Sequence, residues 1–237
     1  MSESARGLTL RASDGRPYRF DPGALCLELL VTGGPGPLAR FEVLHAPADL
    51  VRWAGESRLP AGLEPIVSDR EVTGARVLRD ALHRLAVARA RGRVLPSADL
   101  IVVSHAAAHP PPAPRFTAGG ERGWVPGASG AQLLSAVARD AVELFTGPYA
   151  YRVRACGSDD CALLFVDTSR PGRRRWCAME RCGNRHKVRA HRARRPEAEA
   201  AAAAVRPVTE PGARSPVTEP EPEPVDGAWQ PEPVERA

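Results

Sequence analysis

Four cysteines constrain this chain more than any other feature. In the run "CGSDDCALLFVDTSRPGRRRWCAMERCGNR", Cys156, Cys161, Cys177 and Cys182 are arranged as C-x4-C, fifteen residues, C-x4-C. Two equally spaced pairs separated by a hairpin-sized insert meet the needs of a tetrahedral four-thiolate metal site. Each pair wraps one side of an ion in a tight turn, and the insert brings the pairs together. The insert is expected to supply a strand at "ALLFVD" (Ala162–Asp167), a turn around Pro171–Gly172, and a returning strand at Arg174–Trp176. Past Cys182, Gly183 permits a backbone turn close to the sulfur, and Asn184 is suited to N-cap the helix "RHKVRAHRARR". A ligand pair in a turn, a hairpin, then a pair at a helix start is a treble-clef-like arrangement.

Two disulfides would also consume four cysteines. The opening "MSESARGLTLRASDGRPYRF" lacks the apolar stretch of a secretory signal, so the expectation is a cytoplasmic protein in a reducing compartment, which favours metal. A site of two cysteines with His186 and His191 fails on spacing. His186 follows Cys182 by four residues, and the interval of about twelve between ligand pairs is missing. Four thiolates close the coordination shell and leave no position for water or substrate. The expected cofactor is therefore one structural zinc, and no enzymatic role is expected.

Behind the cysteines the charge is concentrated. Of the 33 basic side chains only Lys187 is lysine, so a single arginine means little and only clustering counts. Arg170–Arg195 holds eleven cations against Glu180 alone, a net of +10. Pro196–Ala237 holds nine acids against three arginines, a net of −6. A basic block this dense is the footprint of a polyanion binder. The following stretch is dominated by Pro, Glu and Ala, repeats "PVTEP", and has too little apolar surface to offset its ordering entropy. A disordered acidic tail is expected at 196–237, able to compete with nucleic acid for the basic block.

The first 150 residues read as a mainly helical domain. "ALCLELLVT" (Ala24–Thr32) is a short apolar helix, and Pro47–Leu59 begins with proline in its first turn. Ser68 and Glu71 form a capping box ahead of Ala75, Leu78, Leu82 and Leu85, a long amphipathic helix running to Gly92. Pro96–His109 is a further helix. Arg115–Gly127 suggests a hairpin burying Phe116 and Trp124. A last helix starts near Ser129, buries Leu133, Leu134, Val137, Ala141, Leu144 and Phe145, and stops at Gly147–Pro148. His45, His83, His105 and His109 are scattered with no ligand-spaced partner, and Cys26 sits among leucines as a small hydrophobe. No catalytic constellation appears. No apolar run reaches the roughly 18 residues a membrane helix requires.

The fold class expected is thus mainly α with small β-hairpins: a helical domain over 1–150, a four-cysteine finger over 151–195, and the tail over 196–237. The finger resembles the CGNR zinc finger, named for the residues standing here as Cys182, Gly183, Asn184 and Arg185. Phe165, Asp167, Ser169, Arg174–Arg175 and Trp176–Cys177 add to the match. The upstream part, with "LCLELLVT" and the helix after "WAGESRLPAGL", resembles the ABATE domain, described for stress-induced transcription regulators of bacteria. It departs from that pattern at Val31, where an asparagine is expected before Thr32. The resemblance implies a zinc-binding, DNA-binding module.

On the helix after Cys182, Arg185, Arg189 and Arg192 fall at i, i+4 and i+7 on one face, and Lys187, Arg194 and Arg195 widen it. In the insert, Arg173 and Arg175 should point one way and Arg174 the other. These nine cations are the candidate nucleic-acid contacts. For Arg175 and Arg185, and for Arg181, a second role stands open: offsetting the −2 formal charge of a zinc with four thiolates. Asp159 and Asp160 are turn formers or partners for those arginines. The function expected is a bacterial transcription regulator whose helical domain senses an unidentified effector or forms a homodimer, while the finger binds DNA. The alternative is an interaction module binding RNA or an acidic protein.

Overall fold

The computed structural model of the protein describes residues 7–12, 14–189 and 192. Residues 1–194 form one compact unit and 195–237 a second. The expected tail, and with it Arg194 and Arg195, lies outside the described residues. Among those described, the fold is mainly helical with three two-stranded antiparallel hairpins.

The helical part is organised around its longest helix, Asp69–Ala90. In order, α1 is Leu25–Leu29, α2 Pro47–Glu56, α3 Asp69–Ala90, α4 Ser97–Ala108 and α5 Gly130–Thr146. Val72, Ala75, Leu78, Leu82 and Leu85 recur every three or four residues along α3, and all are buried. Helices α1, α2, α4 and α5 pack against it. The capping boxes form where expected. Glu71 accepts the Ser68 N–H at 2.8 Å, and its second oxygen accepts the Ala131 N–H at 2.8 Å, so one carboxylate satisfies the N-termini of both α3 and α5. Leu144 of α5 is only partly buried; Leu133, Val137 and Ala141 are enclosed.

Two expectations about hairpins need correction. β3 (Pro114–Phe116) pairs with β4 (Arg122–Trp124), but Phe116 is 83 % exposed and only Trp124 packs on the core. A lone ribbon has no second layer to cover its outer face. Within the finger, β5 (Val153–Ala155) pairs with β6 (Leu164–Val166), in the register Val153↔Val166 and Ala155↔Leu164. The strand partner of β6 therefore precedes the first cysteine pair. No strand forms at Arg174–Trp176, whose backbone is held instead by the Asp167 carboxylate on the Arg174 N–H and by the Gly157 N–H on Arg175 O.

Strand β6 is buried on both faces and joins two cores. Leu164 and Val166 pack with Val153 into the helical core. Phe165, on the opposite side by strand alternation, faces a smaller core made of Tyr18, Phe20 and the cysteines. Tyr18 and Phe20 come from the hairpin of β1 (Leu8–Arg11) with β2 (Pro17–Phe20), in which Leu8, Tyr18 and Phe20 are the buried residues. The metal-binding stretch is thus enclosed by chain from both ends of the described region.

Candidate metal centre

The first cysteine pair occupies the loop of the β5–β6 hairpin. The Cys156 N–H donates to Leu163 O at 2.9 Å, extending the ladder, and the Cys161 N–H closes a turn on Ser158 O at 3.0 Å. The Gly157 N–H reaches Arg175 O at 2.9 Å and ties this turn to the second. A Cβ on Gly157 would lie 3.3 Å from that oxygen and from the Trp176 ring.

The second pair brackets a wide helical turn. Met179–Gly183 closes through i→i+5 bonding, with the Gly183 N–H on Ala178 O at 3.2 Å, and helix continues through 184–189. Cys177 and Cys182 are five residues apart across this turn, and their sulfurs return to 3.5 Å. Asn184 has helical backbone angles and is not the cap; that position falls to Ala178, in extended conformation with no side-chain bond. The crowding at Gly183 comes from a different sulfur than the metal ligands', at the flexible end of an exposed side chain that can swing away. An added Cβ would sit 2.6 Å from Met179 Sδ.

The four Sγ atoms lie within 4.8 Å of one another, with Cys161–Cys177 at 3.8 Å and Cys177–Cys182 at 3.5 Å. A disulfide needs about 2.05 Å. A zinc tetrahedron with Zn–S of about 2.3 Å has edges of about 3.8 Å. The cluster has the dimensions of the zinc site. Its electrostatics agree. Bonds from the Cys161 and Cys177 thiols pull Cys156 far below the ordinary thiol range, while sharing protons with Cys156 pushes Cys161 and Cys177 up. Four thiolates packed this closely require a cation to offset their charge. The residues fit one structural zinc ion, which Cys156, Cys161, Cys177 and Cys182 would hold.

The sulfurs also receive protein N–H groups, from Cys177 N to Cys156 Sγ at 3.4 Å and from Arg181 Nη1 to Cys161 Sγ at 3.8 Å. Arg181 also donates to Tyr18 Oη at 3.0 Å. Burial pushes that phenol up to about 12, so it stays neutral beside the thiolates.

The other arginines divide by what they touch. The Arg174 guanidinium lies over the Phe165 ring, 4.1 Å from its centroid. It donates to Asp21 O from both terminal nitrogens at 3.1 Å, to Trp176 O at 3.1 Å, and to Cys177 O. Asp167, fully buried, accepts the Arg174 N–H at 2.9 Å and the Ser169 N–H and hydroxyl, fixing the turn between the cysteine pairs. Asp21 in turn receives Arg58, which also donates to the buried Glu28 carboxylate at 2.7 Å. Burial raises Glu28 above the usual carboxylate range despite that partner. A polar chain thus runs from α1 to the second cysteine pair.

Arg185 pairs with Asp160, and Arg189 approaches the same carboxylate at 4.0 Å. Arg175 stacks on Trp176, whose other neighbour is the His186 ring at 4.7 Å. Arg173, Lys187 and Arg192 are exposed. A groove of about 380 Å³ runs along Arg173–Met179 beside the second cysteine pair. Sequence reasoning missed Tyr18, Phe20, Asp21 and Arg58 as parts of the site. The signal for the first two was present: alternation in "LTLR" and "PYRF" around Asp14–Gly15 marks a hairpin.

A helical part followed by a four-cysteine cluster of zinc-site dimensions and a cationic helix defines a zinc-finger protein. Comparison with known families agrees. Residues 23–148 match the ABATE model, described as "putative stress-induced transcription regulator", and residues 152–195 match the CGNR zinc finger. The chain belongs to the ABATE family and carries the CGNR zinc finger. Neither is an enzyme family. No curated protein matches the chain. Among the described residues no helix is long and apolar enough to cross a membrane.

Proposed function

We propose that the protein is a DNA-binding transcription regulator of the cytoplasm, in which zinc holds the terminal helix in place and the cations on and beside it meet the duplex. The observation carrying this reading is the division among the arginines. Arg174 and Arg181 are turned inward onto carbonyls, a ring and a sulfur, whereas Arg173, Arg175, Lys187, Arg189 and Arg192 are exposed, the first two along the groove at Arg173–Met179. Arg185 is engaged in a surface pair with Asp160, which Arg189 also approaches. Exposed arginines flanking Trp176 and a short helix suit phosphate contact and guanine-edge readout. Arg194 and Arg195, outside the described residues, add two further cations to the same stretch of sequence.

The test is a selection of bound duplexes from a random pool with the zinc-loaded full chain, followed by titration of the enriched site at several salt concentrations. A recovered motif whose affinity falls steeply with salt supports the reading. Retention without any motif favours the RNA- or protein-binding alternative.

A further inference from the structure

A second cleft, of about 610 Å³, lies on the other side of the first cysteine turn. Its size falls within the range of about 300–1,000 Å³ typical of small-molecule sites. One wall is apolar and comes from the helical part: Leu27, Leu30 and Val31, with Leu38 and Phe41 at the edge. The opposite wall is the finger itself, Cys161–Leu164 with Arg181. Phe41 and Val43 leave 52 % and 46 % of their surface in water here, a cost that a bound apolar body would remove.

The charges around the cleft are unequal in what remains available. Glu42 is held by Arg79 at 2.8 Å and Asp160 by Arg185, so neither seeks a cation. Arg40 lies over the Phe41 ring at 4.7 Å and, among the described residues, has no carboxylate partner. Arg11 uses one nitrogen on Gly15 O at 3.1 Å. Against these two guanidinium groups stands Asp159. His83 faces the cleft with no hydrogen-bond partner among the described residues, and burial lowers its pKa below the ordinary value, leaving a neutral ring at pH 7.

The geometry points to a binding site for a small amphipathic organic anion, an apolar body bearing one carboxylate or sulfonate, between the helical part and the first cysteine turn. Arg40 and Arg11 receive the anion at the rim, His83 supplies a hydrogen bond, and the aliphatic wall takes the body. A cation would meet two guanidinium groups, and a hydroxyl-rich ligand would leave its polar groups unpaired against leucine. Because Arg181 lines the cleft and also bonds Cys161 Sγ, occupancy bears on the turn that fixes the zinc. An effect on DNA binding follows by linkage and rests on the function proposed above.

The experiment uses the full zinc-loaded chain and 1-anilinonaphthalene-8-sulfonate as fluorescent probe, with decanoate, decanol and decylamine as competitors. One saturable site per chain is expected, from which decanoate displaces the dye about tenfold better than the other two, the effect of one charge-assisted contact. Arg40→Ala, on an exposed side chain, weakens dye and decanoate about tenfold with zinc content and circular dichroism unchanged. Leu38→Trp narrows the cleft and reduces dye binding. Equal displacement by decanol or decylamine overturns the ligand class, and unaltered binding in both variants overturns the site. Decanoate that displaces dye yet leaves duplex retention unchanged overturns the coupling. A chain that retains no duplex fails the DNA reading alone, because the dye titration does not depend on it.

Discussion

Replacing Arg174 by alanine separates a structural arginine from those proposed to contact DNA within three consecutive arginines. Its guanidinium bonds three carbonyls, those of Asp21, Trp176 and Cys177, and covers the Phe165 face. A hydrogen bond to a charged group contributes about 1.5–3 kcal/mol and a cation–π contact about 1 kcal/mol. Arg174 is only partly buried, so water re-enters and satisfies some of the freed carbonyls. A net loss of about 3 kcal/mol is expected, against less than about 0.5 kcal/mol for Arg173→Ala, whose side chain is exposed. Urea unfolding of the zinc-loaded chain measures both, and a chelator-competition titration should show faster zinc release from the Arg174 variant only. Full stability and zinc retention in Arg174→Ala, together with lost DNA binding, would refute the assignment and make Arg174 a contact residue.

Cys177→Ser removes the ligand nearest two other sulfurs. The purified variant should hold well under one zinc per chain by metal analysis, and cobalt added to it should give no tetrahedral thiolate spectrum. Glu71→Ala uncaps α3 and α5 together and should cost about 2 kcal/mol at pH 7. Burial acts to raise the Glu71 pKa, but the bonds from Ser68 and Ala131 outweigh it and the folded value is lowered. Its stabilisation is therefore complete above the unfolded value of about 4.3 and lost as pH falls through the folded one. The gap between wild type and variant in urea unfolding should close over that window; a gap independent of pH would disprove the role of the ionised carboxylate. Replacing Lys187, Arg189 and Arg192 together by alanine should lower the slope of log affinity against log salt by about 3 in duplex binding, with zinc content intact.

What the amino-acid order determined by itself was local. The helix starts at Ser68 and Ser129, the stop at Gly147 and the buried face of α3 follow from caps and from a period near 3.6, which need only neighbouring residues. The four-cysteine cluster was equally legible, because C-x4-C pairs are turns closed within six residues. Their family assignment followed from the same motif. The pairing of β6 was not legible. "ALLFVD" is apolar on both faces, and nothing local distinguishes a partner at Val153–Ala155 from one at Arg174–Trp176; the choice is made by the two cores that Leu164 and Phe165 enter. Asn184 looked like a cap because its chemistry suits one, yet the wide turn beginning at Met179 had already started the helix upstream. Only the tertiary structure could sort the arginines. A guanidinium reads the same in sequence whether it faces water or lies on Phe165, and its role is set by carbonyls such as Asp21 O, more than 150 positions away along the chain.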